Sequence, residues 1–245
     1  MDTMRKDMRE AIPALGFYPH ENISTGTTLI SMEFDGGVVV GTDSRTSSGS
    51  FISSRATNKI TPLTDNIVVC RSGSAADTQA IADIVKYHTE AHTVVENKPL
   101  TVYRITQIFR RFLYEYRDSL SASVLVAGWD KENGGQLYAI PLGGFVTRQR
   151  STASGSGSTF VQGFLDSKWK PNLTRDECKE IVKMAVGLAV FRDGSSGGVV
   201  RLSVIDAKGT TLELFRPDKP NFPTVKAPLP HLSLPPHIDQ EPDEN

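Results

Sequence analysis

Apolar and polar residues alternate at the start of the region that the sequence predicts to fold. Residues 27–34 show the period of two that is typical of a strand, and Asp35-Gly36-Gly37 supplies a turn into a second strand at 38–43. A turn this short permits little but an antiparallel return. The pattern therefore predicts an opening hairpin.

Strands and helices then follow one another in blocks. The remaining predicted elements are strands at 67–73, 123–129, 136–141, 145–150, 198–205 and 210–215, and helices at 75–92, 100–119 and 174–192, the last opened by a capping box at 174–177. This order predicts an α+β fold with four αββα layers, in which two packed antiparallel sheets lie between outer layers of helices.

Composition favours one large domain without a charged partner surface. The chain has 245 residues, 38% of them hydrophobic, and its 27 basic and 28 acidic residues give a net charge of -1. We therefore expect no binding to nucleic acid or membrane. The two cysteines, Cys70 and Cys178, suit a reducing compartment, and no apolar run marks a signal peptide, so we expect a soluble intracellular protein.

The two ends of the chain differ in composition from the middle. Residues 1–26 form an irregular charged leader, and eight of the fourteen prolines fall in 217–245, which also carries an acidic finish. Such a segment cannot build a core, so it is either a solvated extension or a strap over a neighbouring subunit. We therefore predict three segments, a leader at 1–26, a folded domain at 27–216 and a C-terminal extension at 217–245.

The first candidate for chemistry is the Gly26-Thr27 bond, which lies between the leader and the first strand. A hydroxyl that follows glycine can attack the preceding carbonyl without steric hindrance. Cleavage would leave Thr27 with a free α-amine whose pKa is about 7.7 to 8.0, which suits a general base at neutral pH. A Gly-Thr pair alone is weak evidence, because it also begins many ordinary strands.

Further motifs strengthen this interpretation. In order along the chain they are Thr27-Thr28, Phe34-Asp35-Gly36-Gly37-Val38-Val39, Gly41-Thr42-Asp43-Ser44-Arg45 with Lys59, Ser72-Gly73-Ser74-Ala75-Ala76-Asp77, Gly155-Ser156-Gly157-Ser158 and Arg192-Asp193-Gly194-Ser195-Ser196-Gly197-Gly198. This set resembles the catalytic β subunits of the eukaryotic 20S proteasome, which are N-terminal nucleophile hydrolases. The resemblance covers residues 27–215 and implies the αββα fold of that class. It also implies that 1–26 is a propeptide removed by self-cleavage and that 27–216 is the protease domain.

The resemblance implies a role for each motif residue. Thr27 would be the nucleophile, Asp43 and Lys59 its supporting ion pair, and Gly73 the backbone donor of the oxyanion hole. A Lys59 ammonium would favour the threonine alkoxide, and Asp43 would keep that lysine charged and in place.

The two glycine-serine loops would complete the catalytic group. The resemblance places Ser156, Asp193 and Ser196 around Thr27, where they would hydrogen-bond its amine and the attacking water. Without the resemblance, both loops would be interpreted as flexible turns.

One residue separates the activities of such subunits. Arg71 stands two before Gly73, and strand geometry projects both to the same side, so the guanidinium would line the pocket for the substrate residue before the cut. This resembles the caspase-like subunit, which cleaves after acidic residues. The peptide groove would be completed by Thr46, Ser47, Thr57 and Ala75.

The resemblance also implies partners and a location. We expect assembly with other α and β subunits into a four-ring barrel, unfolded polypeptide substrates, no cofactor, and a cytoplasmic and nuclear location. His88 and His92 have the spacing of metal ligands, but no third ligand is evident, so we expect no metal. Two alternatives are a non-catalytic structural β subunit and an N-terminal nucleophile amidase that acts on small molecules.

Overall fold

The computed structural model describes residues 26–48 and 50–225. The rest of the predicted propeptide and residues 226–245 of the predicted extension lie outside them. The strands are β1 (Leu29–Phe34), β2 (Gly37–Thr42), β3 (Thr46–Ser48), β4 (Phe51–Ser54), β5 (Ile60–Thr64), β6 (Ile67–Gly73), β7 (Ala122–Asp130), β8 (Gly134–Ile140), β9 (Thr147–Gln149), β10 (Ser151–Ser154), β11 (Val200–Asp206) and β12 (Gly209–Phe215). The α-helices are α1 (Ala75–Glu96), α2 (Val102–Glu115), α3 (Gln162–Lys168) and α4 (Arg175–Arg192).

The first sheet contains the predicted opening hairpin. Its strand order is β10-β1-β2-β11-β12, and every neighbouring pair is antiparallel. Leu29 pairs with Thr42 and Phe34 with Gly37, so β1 and β2 are in register from end to end. The hairpin prediction is confirmed.

The second sheet has the order β5-β6-β7-β8-β9 and is also antiparallel throughout. Its central hairpin pairs Val124 with Ile140 and Asp130 with Gly134. The β3–β4 hairpin forms a separate two-stranded sheet, with Thr46 opposite Ser54.

Three apolar clusters establish the layer order. One lies between the sheets and includes Leu29 and Val40 of the first sheet with Val68 and Leu125 of the second. A second cluster joins the first sheet to α3 and α4, and a third joins the second sheet to α1 and α2. Because each sheet is buried on both faces, the fold is the predicted four-layer αββα sandwich.

The helix that leads back to the site begins as the sequence indicates. The Thr174 side chain accepts a hydrogen bond from the Glu177 backbone, and the Glu177 carboxylate accepts one from the Thr174 backbone. This capping box satisfies two of the N–H groups that a helix start leaves unpaired. At its other end α4 is capped by Asp193.

Some elements differ from the sequence prediction. The structure adds β3, β4, β5, β10 and α3, and residues 154–158, predicted as a loop, contain the end of β10 and the start of a 3₁₀ helix at Ser156–Phe160. After β12 the packed part of the chain continues, because Pro223 is buried and Phe222 packs against the cluster beneath α4. Within residues 26–48 and 50–225, no helix has the length and hydropathy needed to span a bilayer.

Candidate active site

The catalytic candidates lie where strands begin and end. Thr27 stands two residues before β1, Asp43 directly follows β2, and Lys59 directly precedes β5. All three are buried, with exposed fractions of 4%, 0% and 5%. Thr27 and Asp43 flank strands of the first sheet and Lys59 flanks a strand of the second, so the site is assembled across the sandwich.

Lys59 joins the groups on both sides of the Gly26-Thr27 bond. Its Nζ donates to Thr27 Oγ1 at 3.0 Å, to the Gly26 carbonyl oxygen at 2.9 Å and to Asp43 Oδ1 at 2.7 Å. These three contacts use the three hydrogens of an ammonium group. One buried cation thus contacts the hydroxyl, the carbonyl that the hydroxyl would attack, and a carboxylate.

The Asp43 carboxylate is fully bonded although it is entirely buried. Besides Lys59, Oδ1 accepts from the Thr28 backbone N–H at 3.0 Å, and Oδ2 accepts from the Arg45 and Gly197 backbone N–H groups at 3.2 and 3.1 Å. A buried carboxylate is stable only when it is paired and hydrogen-bonded in this way. These bonds also fix the side chain that holds Lys59.

Burial and charge act in opposite directions on Lys59. Burial lowers the pKa of Lys59, while the charge and hydrogen bond of Asp43 raise it, and the balance leaves that pKa below its ordinary value. Lys59 therefore loses its proton more readily than an exposed lysine does.

A second hydrogen-bond network reaches the Thr27 nitrogen. The Thr27 N–H donates to Ser156 Oγ at 3.0 Å, and both Ser156 Oγ and Ser196 Oγ donate to Asp193 Oδ2, at 2.7 and 2.6 Å. The chain is continuous here, so this nitrogen occupies the place of the α-amine that cleavage would release. Ser196 also shares a hydrogen bond with Thr28 Oγ1 at 2.7 Å.

These bonds alter the acidity of Asp193. Burial raises the pKa of Asp193, but hydrogen bonds from Ser196, Ser156 and the Ser195 backbone, together with the Lys59 charge, lower it by more. The result lies below the ordinary value, so the group is a carboxylate at neutral pH.

Gly26 occupies a conformation that suits no other residue. Its φ is +28°, and a Cβ built there would lie 2.3 Å from the Ser195 carbonyl oxygen. A side chain would therefore meet both backbone strain and a backbone clash. The glycine allows the carbonyl to lie against the Lys59 ammonium.

Gly73 ends β6, and only the cap residue Ser74 separates it from α1. Its φ is +104°, and a Cβ there would lie 2.2 Å from the Ser121 carbonyl oxygen. The preceding residue fastens this strand end to the first sheet, because Ser72 Oγ is 3.5 Å from Ser154 Oγ and Ser154 pairs with Leu29 of β1. Gly73 is thus held near the start of the strand that follows Thr27.

Arg71 is 9% exposed and lies along the edge strand β5. Its Nε donates to Thr61 Oγ1 at 3.0 Å and its Nη2 to the Asn58 carbonyl oxygen at 2.9 Å. Burial lowers the pKa of Arg71. Of the five N–H groups of a guanidinium, these bonds use two, and no carboxylate within the described ranges forms an ion pair with it.

The candidate groove residues lie on β3, on α1 and in the loop between β4 and β5. Thr46 Oγ1 in β3 donates to Thr57 Oγ1 at 2.9 Å, so these two are brought together. Ser47 follows in β3, and Ala75 is the first residue of α1. All four are partly exposed. Hydrogen bonds link Thr27, Asp43, Lys59, Ser156, Asp193 and Ser196 into one cluster, whereas the groove residues lie outside it.

Two residues that bond to this cluster were not among the residues with a predicted role. Thr28 bonds both Asp43 and Ser196 and so connects the two networks. Arg45 Nη1 donates to the Gly194 carbonyl oxygen at 2.8 Å and its backbone N–H to Asp43, which fixes the loop that carries Ser196. Thr28 lies in the Thr27-Thr28 motif and Arg45 ends the motif at 41–45, and these positions are the signal that could have identified them.

The histidine pair on α1 lies away from this cluster. The His88 ring centroid is 5.8 Å from that of Phe112. In the part of the chain that the structure describes, no three His, Cys, Asp or Glu side chains are grouped so as to hold a metal ion.

Comparison with known proteins gives a consistent result. The family described as "Proteasome subunit" matches residues 23–205. The chain is 47% identical over 201 residues to "Proteasome subunit beta type-6" of Arabidopsis thaliana, covering 82% of this chain and 85% of that protein. It is 43% identical over 216 residues to "Proteasome subunit beta type-9" of Mus musculus bactrianus, covering 88% and 98%. It is 44% identical over 197 residues to "Proteasome subunit beta type-1" of Saccharomyces cerevisiae, covering 80% and 91%.

Proposed function

The chain belongs to the proteasome subunit family, as a beta-type member, and from this premise we propose that it is a self-processing threonine endopeptidase with Thr27 as its nucleophile. The observation that carries the proposal is the position of Lys59 Nζ, 3.0 Å from Thr27 Oγ1 and 2.9 Å from the Gly26 carbonyl oxygen. A subunit with only a structural role would have no need of a buried ion pair at this bond.

Self-processing follows from this geometry. Thr27 Oγ1 attacks the Gly26 carbonyl carbon while Lys59 hydrogen-bonds the carbonyl oxygen, where negative charge develops. The C–N bond breaks, the nitrogen takes a proton, and an ester joins Gly26 to Thr27. Water then cleaves the ester, leaving a Gly26 carboxylate and a free Thr27 α-amine. Residues 1–26 are the propeptide in this scheme.

Peptide hydrolysis reuses the same groups. The freed amine takes the place of the Thr27 N–H beside Ser156 and acts as general base for Thr27 Oγ1. Gly73 supplies an N–H to the oxyanion, and removal of one such donor costs about 3 to 4 kcal/mol in other hydrolases. The acyl-enzyme is an ester on Thr27 that water hydrolyses with help from the amine, and Ser156, Asp193 and Ser196 hold amine and water in place.

The substrate class that we propose is peptides with an acidic residue before the cut. Arg71 supports this, because its guanidinium is buried, is held by Thr61 and Asn58, and uses only two of its five N–H groups on partners among the described residues. Such a cation favours a carboxylate through charge-assisted hydrogen bonds. We assign the flanking groove to Thr46, Ser47, Thr57 and Ala75, with backbone pairing of the substrate as an added strand.

Membership of this family implies assembly with other proteasome subunits. We propose a hetero-oligomeric barrel that degrades unfolded polypeptides in cytoplasm and nucleus. The two free buried cysteines agree with a reducing compartment. We also propose 27–216 as the protease domain and 217–245 as its extension.

The proposal is tested with assembled particles that carry wild-type, Thr27→Ala or Thr27→Ser subunits. Intact mass reports cleavage at Gly26-Thr27, and peptides with glutamate or leucine before the cut report hydrolysis. We expect cleavage and glutamate hydrolysis in the wild type, loss of both in Thr27→Ala, and partial retention in Thr27→Ser, which keeps a hydroxyl.

An Arg71→Leu variant separates specificity from catalysis. It should lose roughly 10- to 100-fold of glutamate hydrolysis while leucine hydrolysis persists. An uncleaved, inactive wild type would instead show that this is a structural β subunit.

A further inference from the structure

The chain does not leave the domain where its last strand ends. After Phe215 two consecutive turns, closed by Lys219 N–H to Arg216 O at 3.0 Å and Phe222 N–H to Lys219 O at 3.2 Å, direct it back toward α4. Phe222 then packs against the cluster beneath α4, and Pro223 is buried. We call residues 216–225 the strap.

The strap meets α4 at a glycine. Gly187 lies in the interior of the helix and is buried, although glycine there costs about 1 kcal/mol relative to alanine. A Cβ added at Gly187 would lie 2.8 Å from both Cβ and the carbonyl oxygen of Pro223. The close approach of the strap therefore explains why this position has no side chain.

The same helix holds a member of the candidate catalytic cluster. Asp193 is the C-cap of α4, six residues beyond Gly187, which corresponds to about 9 Å along the helix axis. Its Oδ2 accepts the hydrogen bonds of Ser156 and Ser196 at 2.7 and 2.6 Å. A displacement of α4 relative to the 3₁₀ helix that begins at Ser156 would lengthen the bond from Ser156, whereas Ser196 lies only three residues beyond Asp193.

We propose that the strap positions α4 through the contact of Pro223 with Gly187, and that this contact places the Asp193 carboxylate beneath Ser156 and Ser196. Gly187 and Pro223 are positioning residues that never touch substrate. The kinetic part of this inference rests on the proposed function of Thr27, whereas its structural part does not. In this proposal the first residues of the predicted extension act within their own subunit, by positioning α4.

The test compares Gly187→Ala with Gly163→Ala in assembled particles. Gly163 is an exposed residue of α3, where an added Cβ meets nothing within 4 Å. In Gly187→Ala, cryo-electron microscopy should find Asp193 Oδ2 beyond hydrogen-bonding distance of Ser156 Oγ. Its kcat for the glutamate peptide should fall about tenfold or more with KM within twofold, because the groove lies on other elements. Gly163→Ala should match the wild type in both measurements.

Truncations identify the strap as the cause. A chain that ends at Val225 keeps the strap and should behave as wild type, whereas one that ends at Arg216 should show the loss of kcat. In the chain ending at Arg216, Gly187→Ala should have no further effect, since its clashing partner is gone. Should Gly187→Ala not assemble, the two truncations decide the question by themselves.

The outcomes separate the two proposals. If Asp193 is unshifted and kcat unchanged in Gly187→Ala, the strap does not position α4. The same conclusion follows if Gly187→Ala lowers kcat by an equal factor in a chain that lacks residues 217–245. An inactive wild type would overturn the function of Thr27, and the position of Asp193 would still decide whether the strap positions α4.

Discussion

Lys59 is the side chain on which the site depends most at the scale of single residues. It is 5% exposed, and its ammonium bonds Asp43, Thr27 and Gly26 at 2.7 to 3.0 Å. Removal of one partner of a buried ion pair leaves the other charge without compensation. Lys59 thus contributes both to stability and to the proposed chemistry.

Substitution of Lys59→Met should therefore have two effects. Cleavage at Gly26-Thr27 should be lost, and the free energy of unfolding should fall by about 3 to 5 kcal/mol, because Asp43 remains buried and unpaired. Intact mass and thermal unfolding measure the two effects.

Lys86→Met is the matched control. Lys86 pairs with Glu90 at 4.0 Å on the surface, so its replacement should change neither quantity appreciably. Normal processing in Lys59→Met would contradict the assignment.

The pH dependence of hydrolysis should be bell-shaped. As the pH falls through about 7.7 to 8.0, the α-amine of Thr27 gains a proton and ceases to act as a base, so the rate falls. At the alkaline end the rate should fall when Lys59 loses its proton, and this should begin below the ordinary value of 10.5, because burial lowers the pKa of Lys59.

The pKa of Asp193 lies below its ordinary value of 3.8, so protonation of Asp193 should not lower the rate of hydrolysis above about pH 4. The measurement is kcat for the glutamate peptide across the pH range. A flat profile between about pH 5 and 9 would argue against the amine as base.

At the scale of elements, the junction between β6 and α1 gives the candidate oxyanion donor its position. Gly73 ends the strand, and Ser74 caps the helix by accepting a hydrogen bond from the Asp77 backbone N–H at 3.3 Å. The positive φ of Gly73 allows the chain to pass from one element to the next without a connecting loop.

Gly73→Ala should abolish hydrolysis and lower stability, because its Cβ would lie 2.2 Å from the Ser121 carbonyl oxygen. Gly36→Ala is a matched control that introduces backbone strain without a steric clash. Gly36 has a φ of +100°, but a Cβ there meets nothing within 4 Å. Steady-state hydrolysis and thermal unfolding of both variants should show a small stability loss in Gly36→Ala with normal activity. Equal effects in the two variants would show that the contact with Ser121 has no importance.

Sequence patterns predicted the elements whose signals are local and missed those that depend on distant partners. The capping box of α4 and the β7–β8 hairpin have clear local signals, and both are present. β5 was missed because Pro62 lies within it, and a proline is tolerated there only because β5 is an edge strand with an irregular register. β3 and β10 are short and consist mostly of small polar residues, so they form strands because of the neighbours they pair with.

The candidate site shows the same division. The motifs predicted the residues of the cluster, and six of them are linked by hydrogen bonds. The partners of Arg71 were not predictable, because Thr61 lies on the strand that was missed. Nor was the contact of Pro223 with Gly187, which joins residues far apart in the chain and has no motif.

At the scale of the whole molecule, stability comes from three separate apolar layers. The central layer between the sheets contains Leu125, which is 1% exposed, together with Leu29 and Val68. Residues of β1 contribute to more than one layer, since Ile30 and Met32 face the helices while Leu29 faces the other sheet. The strand that follows Thr27 is therefore held from both sides.

Leu125→Ala should lower the free energy of unfolding by about 2 to 5 kcal/mol, because it leaves a cavity between the sheets. Leu142→Ala serves as the control, since Leu142 is 61% exposed and its loss should have little effect. Chemical denaturation of both variants measures the difference. A small effect at Leu125 would mean that the two sheets can close the gap by moving together.

The contact of Lys59 with Thr27 joins residues that precede strands of different sheets. A sideways slip of one sheet over the other by a single ångström would break that 3.0 Å contact while leaving every strand ladder and every helix intact. Loss of the proposed hydrolysis on warming, before the far-ultraviolet circular dichroism signal changes, would be the sign of such a slip. The distance between Lys59 Nζ and Thr27 Oγ1 thus reports how the two sheets of the sandwich are aligned.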